Sequence, residues 1–306
     1  MSKVLVIDGN AIVHRAFYAM PSFTTKDGFP TNAIYGFFSM LIKSLDNYKP
    51  EYLIIAFDTP EPTFRDKIYK EYRTQRPEPK QELKQQFEPI KSGLKHANIG
   101  YIEFPGYEAD DIIGSLTAKL SKDNKIIVVT GDKDILQLVN ENTVVVLPKI
   151  GLSKTEEFNP DKVRSLLGVK PEMVADYKAI AGDQSDNYKG AAGIGPKTAV
   201  ELLSQFKTVE NLLSNTDQIK NERIRKIIEQ NKDNILLGKQ LSVIKKDLKL
   251  DFSLNKLNTK DINVAGLINF FEQYSMKSLI KRLKSLSIIN QQTAKIESKE
   301  QQGSLF

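Results

Sequence analysis

Residues 3–15 read KVLVIDGNAIVHR, and the aspartate that closes their apolar run decides how the chain folds. Val4–Ile7 is short and rich in β-branched residues and runs straight into Asp8 and Gly9, which favours a buried strand over a helix. The same pattern recurs downstream. Tyr52–Phe57 leads into Asp58, Ile126–Val129 leads through Thr130 and Gly131 into Asp132 and Asp134, and Val144–Leu147 forms a fourth run. Helical spacing over Ala33–Leu45 and Glu108–Leu120 fills the intervals. Strands alternating with helices predict an α/β domain with a mostly parallel central sheet and helices on both faces.

Composition narrows the chemistry. The 306 residues are 40% hydrophobic and 27% charged, enough for one large domain or two ordinary ones with a real core. There is no cysteine, which excludes disulfide scaffolds, thiol nucleophiles and cysteine-ligated zinc. His14 and His96 are the only histidines, so histidine-rich metal sites are excluded and a serine–histidine mechanism has two candidate bases. The N-terminal apolar run is too short for a secretory signal, and no apolar stretch reaches the roughly 18 residues of a membrane span. The chain is expected to be soluble and cytoplasmic. Its net charge of +6 points towards a polyanionic partner, a signal shared by many soluble proteins.

Beyond about Phe158 the strand pattern stops. Asp161–Leu167, Pro171–Ala181, Pro196–Phe206, a basic stretch from Lys220 to Lys246, and a final pair over Val264–Tyr274 and Lys277–Ser285 read as helices. The expected organisation is an α/β domain over 1–158, a helical domain over 159–288 with a glycine-rich hairpin at 188–198, and a polar, flexible tail over 289–306. Residues 61–98 stand apart within the first domain, with four prolines and nine Lys or Arg. Phe64, Tyr69 and Tyr72 interleave with these cations, as in a channel that neutralises a strand and stacks on its bases. A solvated amphipathic helix fits the composition equally well.

Acids mark the expected site. In a parallel sheet the strand carboxyl ends share one edge, and ligands bind in the crevice outside it. Asp8, Asp58, Asp132 and Asp134 therefore converge. Glu108, Asp110 and Asp111 open a helix, with Glu108 and Asp111 on one face, and Asp183 and Asp186 lie in the GDQSDN loop. Each group alone reads as a helix-start acid or turn residue. Nine carboxylates at strand ends and loop mouths instead call for cations, and all-oxygen ligation favours Mg²⁺ or Mn²⁺ over zinc. Two such ions are the usual device for phosphodiester hydrolysis. GAAGIGPKTA, Gly190–Ala199, fails as a P-loop because Pro196 stands where the lysine belongs, and fails as a dinucleotide motif because no strand precedes it. Its glycine turn, Pro196 and Lys197 still suit a DNA phosphate.

VIDGNAIVHRAFYA, IIAFD, TFRDKIYKEYRTQRP, GYEADDIIGSLTAKL, VTGDKDILQLV and GDQSDNYKGAAGIGPKTA occur in order, and together they resemble the bacterial 5′-nuclease family. That family includes the 5′→3′ exonuclease domain of DNA polymerase I and the flap endonucleases. The resemblance runs from about Lys3 to Leu286. It implies a PIN-like nuclease core, a helical arch at about 61–98 and a helix–three-turn–helix DNA-binding module. Carried over, Asp8, Asp58, Glu108, Asp110 and Asp111 hold one metal. Asp132, Asp134, Asp183 and Asp186 hold a second, with Asp110 shared. Arg65, Tyr72, Arg73 and Arg76 of the arch and Arg15 meet the strand, with Arg73, Arg76 and Asp110 acting in catalysis. Gly190, Gly193, Gly195, Lys197 and Thr198 grip the duplex, and K⁺ sits on the hairpin carbonyls. Arg73 stands where the family usually has lysine, which removes an acid–base role there near neutral pH. The implied activity is removal of DNA or RNA-primed 5′ ends at nicks and flaps, by a monomer associated with the bacterial nucleoid.

The DNA polymerase I relatives continue past residue 290, so this chain is expected to be a stand-alone nuclease. Gln302, Leu305 and Phe306 match a short sliding-clamp-binding pattern, and docking gives two apolar residues on a polar tail a purpose. Two rival readings remain: a non-catalytic DNA-structure-binding protein, and a phosphomonoesterase using the DKD sequence at 132–134.

Overall fold

The computed structural model describes residues 1–151 and 154–286. Its strands are β1 (Ser2–Asp8), β2 (Tyr52–Phe57), β3 (Tyr101–Glu103), β4 (Asn124–Val129), β5 (Thr143–Ile150) and β6 (Lys154–Phe158). The helices of the first half are α1 (Gly9–Ala19), α2 (Asn32–Tyr48), α3 (Phe64–Ile68), α4 (Gln81–Lys84), α5 (Phe87–His96) and α6 (Ala109–Leu120). Those of the second half are α7 (Pro160–Leu167), α8 (Val174–Ala181), α9 (Pro196–Phe206), α10 (Val209–Ser214), α11 (Glu222–Gln230), α12 (Lys232–Ser242), α13 (Val264–Gln273) and α14 (Lys277–Lys284).

The strand order is β3-β2-β1-β4-β5-β6, with every pairing parallel except the last. The chain builds outward from β1 through β2 to β3, then crosses back to lay β4 on the other side of β1. That reversal opens a crevice at the carboxyl ends of β1 and β4, the place where open parallel sheets bind ligands. Two strands were not anticipated. β3 has three half-buried residues, too few for a periodic signal. β6 reads KTEEF, a polar edge whose charges discourage pairing with other chains.

Side chains alternate across the sheet with period two. Leu5, Ile7, Leu53, Ile55, Phe57, Ile127 and Val129 face a cluster completed by α1, α2 and α5. Val4, Val6, Ile54, Ala56, Ile126 and Val128 face a second cluster built from α6 and from residues of α7 to α12. The helical half, expected as a domain of its own over 159–288, thus shares its core with the sheet. Its final pair reaches further still. Phe270 and Phe271 of α13 lie 5.3 and 5.2 Å, centroid to centroid, from Phe38 of α2, on the opposite face of the sheet. Leu279 and Leu283 of α14 are buried there too. Among the described residues no helix is long and apolar enough to cross a membrane. Gln302, Leu305 and Phe306 lie outside the described residues.

The span expected as a helical arch holds three helices, α3, α4 and α5. α5 belongs to the core, with Ile90 and Leu94 fully buried. The connection between α3 and α4 is a set of turns, and Arg73 within it takes a positive φ of 57°.

Candidate active site

Asp8 ends β1 and caps α1, its Oδ1 accepting from the Ala11 amide at 2.9 Å. Its other oxygen accepts from the Thr130 hydroxyl at 2.6 Å. That hydroxyl also accepts from the Asp132 amide at 3.0 Å, so Thr130 ties the ends of β1 and β4 together. Asp58, one residue past β2, accepts from the Ala109 amide at 2.6 Å and so draws the start of α6 to the same edge. Asp132 accepts from the Asp134 amide at 2.8 Å. The GDQSDNY loop is closed by paired backbone bonds between Asp183 and Tyr188, and Asp183 accepts from the amide and hydroxyl of Ser185 at 2.7 and 2.6 Å.

These elements enclose a cavity of about 770 Å³ lined by Asp8, Asp58, Glu108, Asp110, Asp132, Asp134 and Asp183, seven of the nine expected acids. An eighth, Asp186, is buried beside it, and Asp134, Asp183 and Asp186 each bring one oxygen within 4.8 Å of the others. Crowding of like charge leaves its mark. Burial pushes the Asp8 carboxyl up to about 7, with Asp58 and Asp132 adding repulsion against the opposing bonds from Thr130 and Ala11. Burial and the charges of Asp132, Asp8 and Glu108 hold Asp110 well above the carboxylate range. Asp134 rises to about 7 through burial and Asp132, against the pull of Lys178.

Asp111 does not join them. It is 0% exposed and lies next to Asp110 on α6, but faces the interior. Its oxygens accept from Arg65 Nη1 at 2.7 Å and Nη2 at 3.0 Å, and from the Lys245 and Glu108 amides. Arg65, expected on the DNA, is 2% exposed and spends its other donors on the Leu241 and Val243 carbonyls at 2.8 and 3.1 Å. Tyr72, expected to stack on a base, is 4% exposed and packs with Tyr188 and Leu241. Gly190 is also buried. Its φ is +58°, and a Cβ there would lie 2.6 and 2.8 Å from the Ile180 and Ala179 carbonyl oxygens, so the chain makes a tight turn that only glycine fits.

Arg73 and Arg76 do reach the site. Arg73 pairs with Glu108 at 2.8 Å and Asp186 at 3.0 Å, and Arg76 pairs with Asp186 at 2.6 Å. Both line the cavity, as do Arg15 and His14. Arg15 also donates at 3.4 Å to the Pro148 and Gly151 carbonyls. At the hairpin, Gly195 precedes α9 with Pro196 in its first turn, and Gly193, Gly195 and Lys197 are exposed with Thr198 half-buried. Lys178 was missed by sequence reasoning. It projects from α8 to pair with Asp134 and, at 2.5 Å, with Asp183. The available signal was a lone cation five residues before Asp183 on a largely apolar helix. Thr130 was passed over as a link to the aspartates.

Gly182 sets where Asp183 begins. Its φ of 78° and ψ of 171° suit glycine alone, and a Cβ there would lie 2.5 Å from the Lys189 carbonyl oxygen. Gly182→Ala is expected to cost roughly 2–4 kcal/mol in denaturant unfolding, by backbone strain plus overpacking.

The 5′-3′ exonuclease N-terminal resolvase-like domain matches residues 3–168, and the 5′-3′ exonuclease C-terminal SAM fold matches 169–265. The chain belongs to the 5′-3′ exonuclease family. A 5′-3′ exonuclease of Aquifex aeolicus is 39% identical over 284 residues, covering 92% of this chain and 96% of that one. DNA polymerase I of Caldicellulosiruptor bescii is 41% identical, and there the chain spans 33% of the relative's length. Among solved structures, the bacteriophage T5 D15 flap endonuclease in a pseudo-enzyme–product complex with DNA and metal ions is 17% identical over 92% of this chain and all of that one, with a TM-score of 0.63. The catalytic core of Rad2 in complex with DNA substrate matches at 0.58, with 16% identity over 93% of this chain and 92% of that one. At these identities the solved structures speak for the fold of this chain alone, and its acidic cluster is compatible with metal binding.

Proposed function

We propose that this 5′-3′ exonuclease hydrolyses phosphodiester bonds at the 5′ ends of DNA strands at nicks and flaps, RNA-primed ends included, with Mg²⁺ or Mn²⁺ as cofactor. The observation that carries this reading is the convergence of seven carboxylates on one cavity at the crevice of a parallel sheet, with Arg73 and Arg76 at its rim. The donors fit such ions: they are hard oxygens, and Asp8, Asp110 and Asp134 are held above their usual range by burial and mutual repulsion that a cation relieves. Asp8, Asp58, Glu108 and Asp110 would hold one ion, and Asp132, Asp134, Asp183 and Asp186 a second. Asp111 is left out because Arg65 occupies it. Divalent ions in such a site activate water and neutralise the developing charge of the phosphodiester.

The chain's own groups supply positioning. The exposed turn at Gly193 and Gly195, with Lys197 and Thr198, suits the backbone of the duplex, without reading sequence. K⁺ on the hairpin carbonyls belongs to the same proposal. Arg73 and Arg76 exchange their carboxylates for phosphates of the 5′ strand when it enters, and Arg15 lies along the same cavity. A sliding clamp held through Gln302, Leu305 and Phe306 completes the proposal, on the sequence pattern alone.

A 5′-labelled flap on nicked duplex tests it. Release of the label in Mg²⁺, none in EDTA, and no turnover of a small phosphate monoester are expected. Binding without cleavage in either metal would make the protein a DNA-structure-binding relative instead.

A further inference from the structure

The two halves of the acidic cavity differ in how they are neutralised. Asp8, Asp58 and Asp110 have no ion pair to any cation among the described residues, while Glu108 beside them pairs with Arg73 at 2.8 Å and Arg65 at 3.4 Å. Around Asp134, Asp183 and Asp186, three cations are in place. Lys178 pairs with Asp134 and Asp183, while Arg73 and Arg76 share one oxygen of Asp186. Lys178 is no surface residue reaching over. Its side chain is 17% exposed, it comes from a helix packed into the core, and the carboxylates hold its ammonium well above the ordinary lysine range despite burial. On the other side of the pair, Lys178 and Ser185 keep Asp183 below its ordinary value against the cost of burial.

One oxygen from each of the three aspartates lies within 4.8 Å of the others, a space for one cation. The ammonium already contacts two of these three carboxylates, which with Asp132 would hold the second ion. We infer that Lys178 is the resident counter-ion of this cluster, and that a divalent ion enters it only by displacing the ammonium. The inference rests on the metal reading proposed above and adds an order to it. The half that holds Asp8, Asp58 and Asp110, where no ammonium sits among the carboxylates, loads first, and the Lys178 half loads last and weakly. Lys178 therefore sets the metal concentration at which the second site fills, and it keeps three crowded carboxylates compatible with a folded protein before metal arrives.

Calorimetric titration of the full chain with Mn²⁺ alone tests this, with Lys178→Met and Lys178→Arg beside wild type. Wild type is expected to bind one ion tightly and a second at least about tenfold more weakly, since a unit charge at this range opposes binding strongly. Lys178→Met tightens the second ion by about tenfold or more and leaves the first unchanged, and Lys178→Arg behaves as wild type. In EDTA the methionine variant melts lower than wild type, and Mn²⁺ raises its midpoint by more. Should it not fold, Lys178→Gln, which retains a donor, carries the same expectation. Combined Asp134→Asn and Asp183→Asn removes the weak ion only. A folded Lys178→Met with an unchanged or weaker second ion overturns the inference and leaves the metal reading standing, as does retention of both ions by the double variant. Absence of Mn²⁺ binding in wild type overturns both.

Discussion

Asp110→Asn is expected to abolish release of a labelled 5′ flap while leaving the protein folded and, in EDTA, more resistant to heat. The two effects have one cause. Among the nine expected acids, Asp110 alone makes no side-chain hydrogen bond or ion pair to the described residues, although it lines the cavity beside Asp8, Asp58 and Asp132. Its neighbours repel its charge, and burial adds to that. Asparagine keeps the size, removes a charge that the fold opposes, and leaves no partner orphaned. Stability therefore rises. Activity falls because the carboxylate with nothing else to bind is the one presented to a metal from both groups of acids. A loss of at least about 10³-fold in kcat is expected, beyond the roughly 10–100-fold cost of losing a residue that merely supports a ligand. Flap-cleavage rates and thermal melts of the same preparation measure both. Full activity in the variant would remove Asp110 from the centre of the mechanism. A large fall in melting temperature would show that its charge is compensated in the fold.

The acids of the site were legible because two patterns coincide in them. An apolar run with β-branched residues gives the strand, and in a parallel sheet the residue after each strand must arrive at the same edge, so Asp8, Asp58 and Asp132 converge whatever the details of packing. The acids on α6 show where such reasoning ends. Asp110 and Asp111 are adjacent, about 100° apart around the helix. One faces the cavity and the other the interior, and the sequence treats them alike. What separates them is Arg65, whose reading depends on the Leu241 and Val243 carbonyls more than 170 positions away. The family resemblance carries Arg65 and Tyr72 onto the DNA strand, and a local window cannot see the tertiary partners that bury them. Lys178 escaped notice for a related reason. Five positions from Asp183 on a helix-plus-loop segment, it acquires meaning only once the loop folds back and brings Asp183 beside Asp134. The return of α13 and α14 to the face of α2 was likewise invisible: their apolar stripes were plain in the sequence, but not the surface they cover.

Arg65→Ala is expected to destabilise the protein by about 3–5 kcal/mol, the cost of stranding a buried charge whose partner is removed. Arg65 joins three parts of the chain. Its own helix α3 begins the expected arch, Asp111 belongs to α6 beneath the cavity, and the two carbonyls lie at and just beyond the end of α12. With alanine, Asp111 loses the cation it pairs with and keeps only amide donors, Glu108 loses its 3.4 Å pair with Arg65, and two carbonyls lose a partner. In a chain of this size the melting midpoint falls by about 10 °C. The fall comes from an unpaired charge rather than from lost packing, and a second change separates these causes. Arg65→Met combined with Asp111→Leu removes both charges and fills the space with apolar groups, so it is expected to recover most of the loss, as replacement of a buried pair commonly does. Equal instability of the single and double variants would place the cost in the carbonyls and the packing around Phe64 instead. In contrast to Asp110→Asn, the folded fraction of Arg65→Ala still contains every acid that lines the cavity. Cleavage per folded molecule, measured well below its melting point, is therefore expected to stay within about tenfold of wild type, within the range seen when an outer supporting residue is lost. A catalytic loss as deep as that of Asp110→Asn, without the fall in stability, would return Arg65 to the substrate.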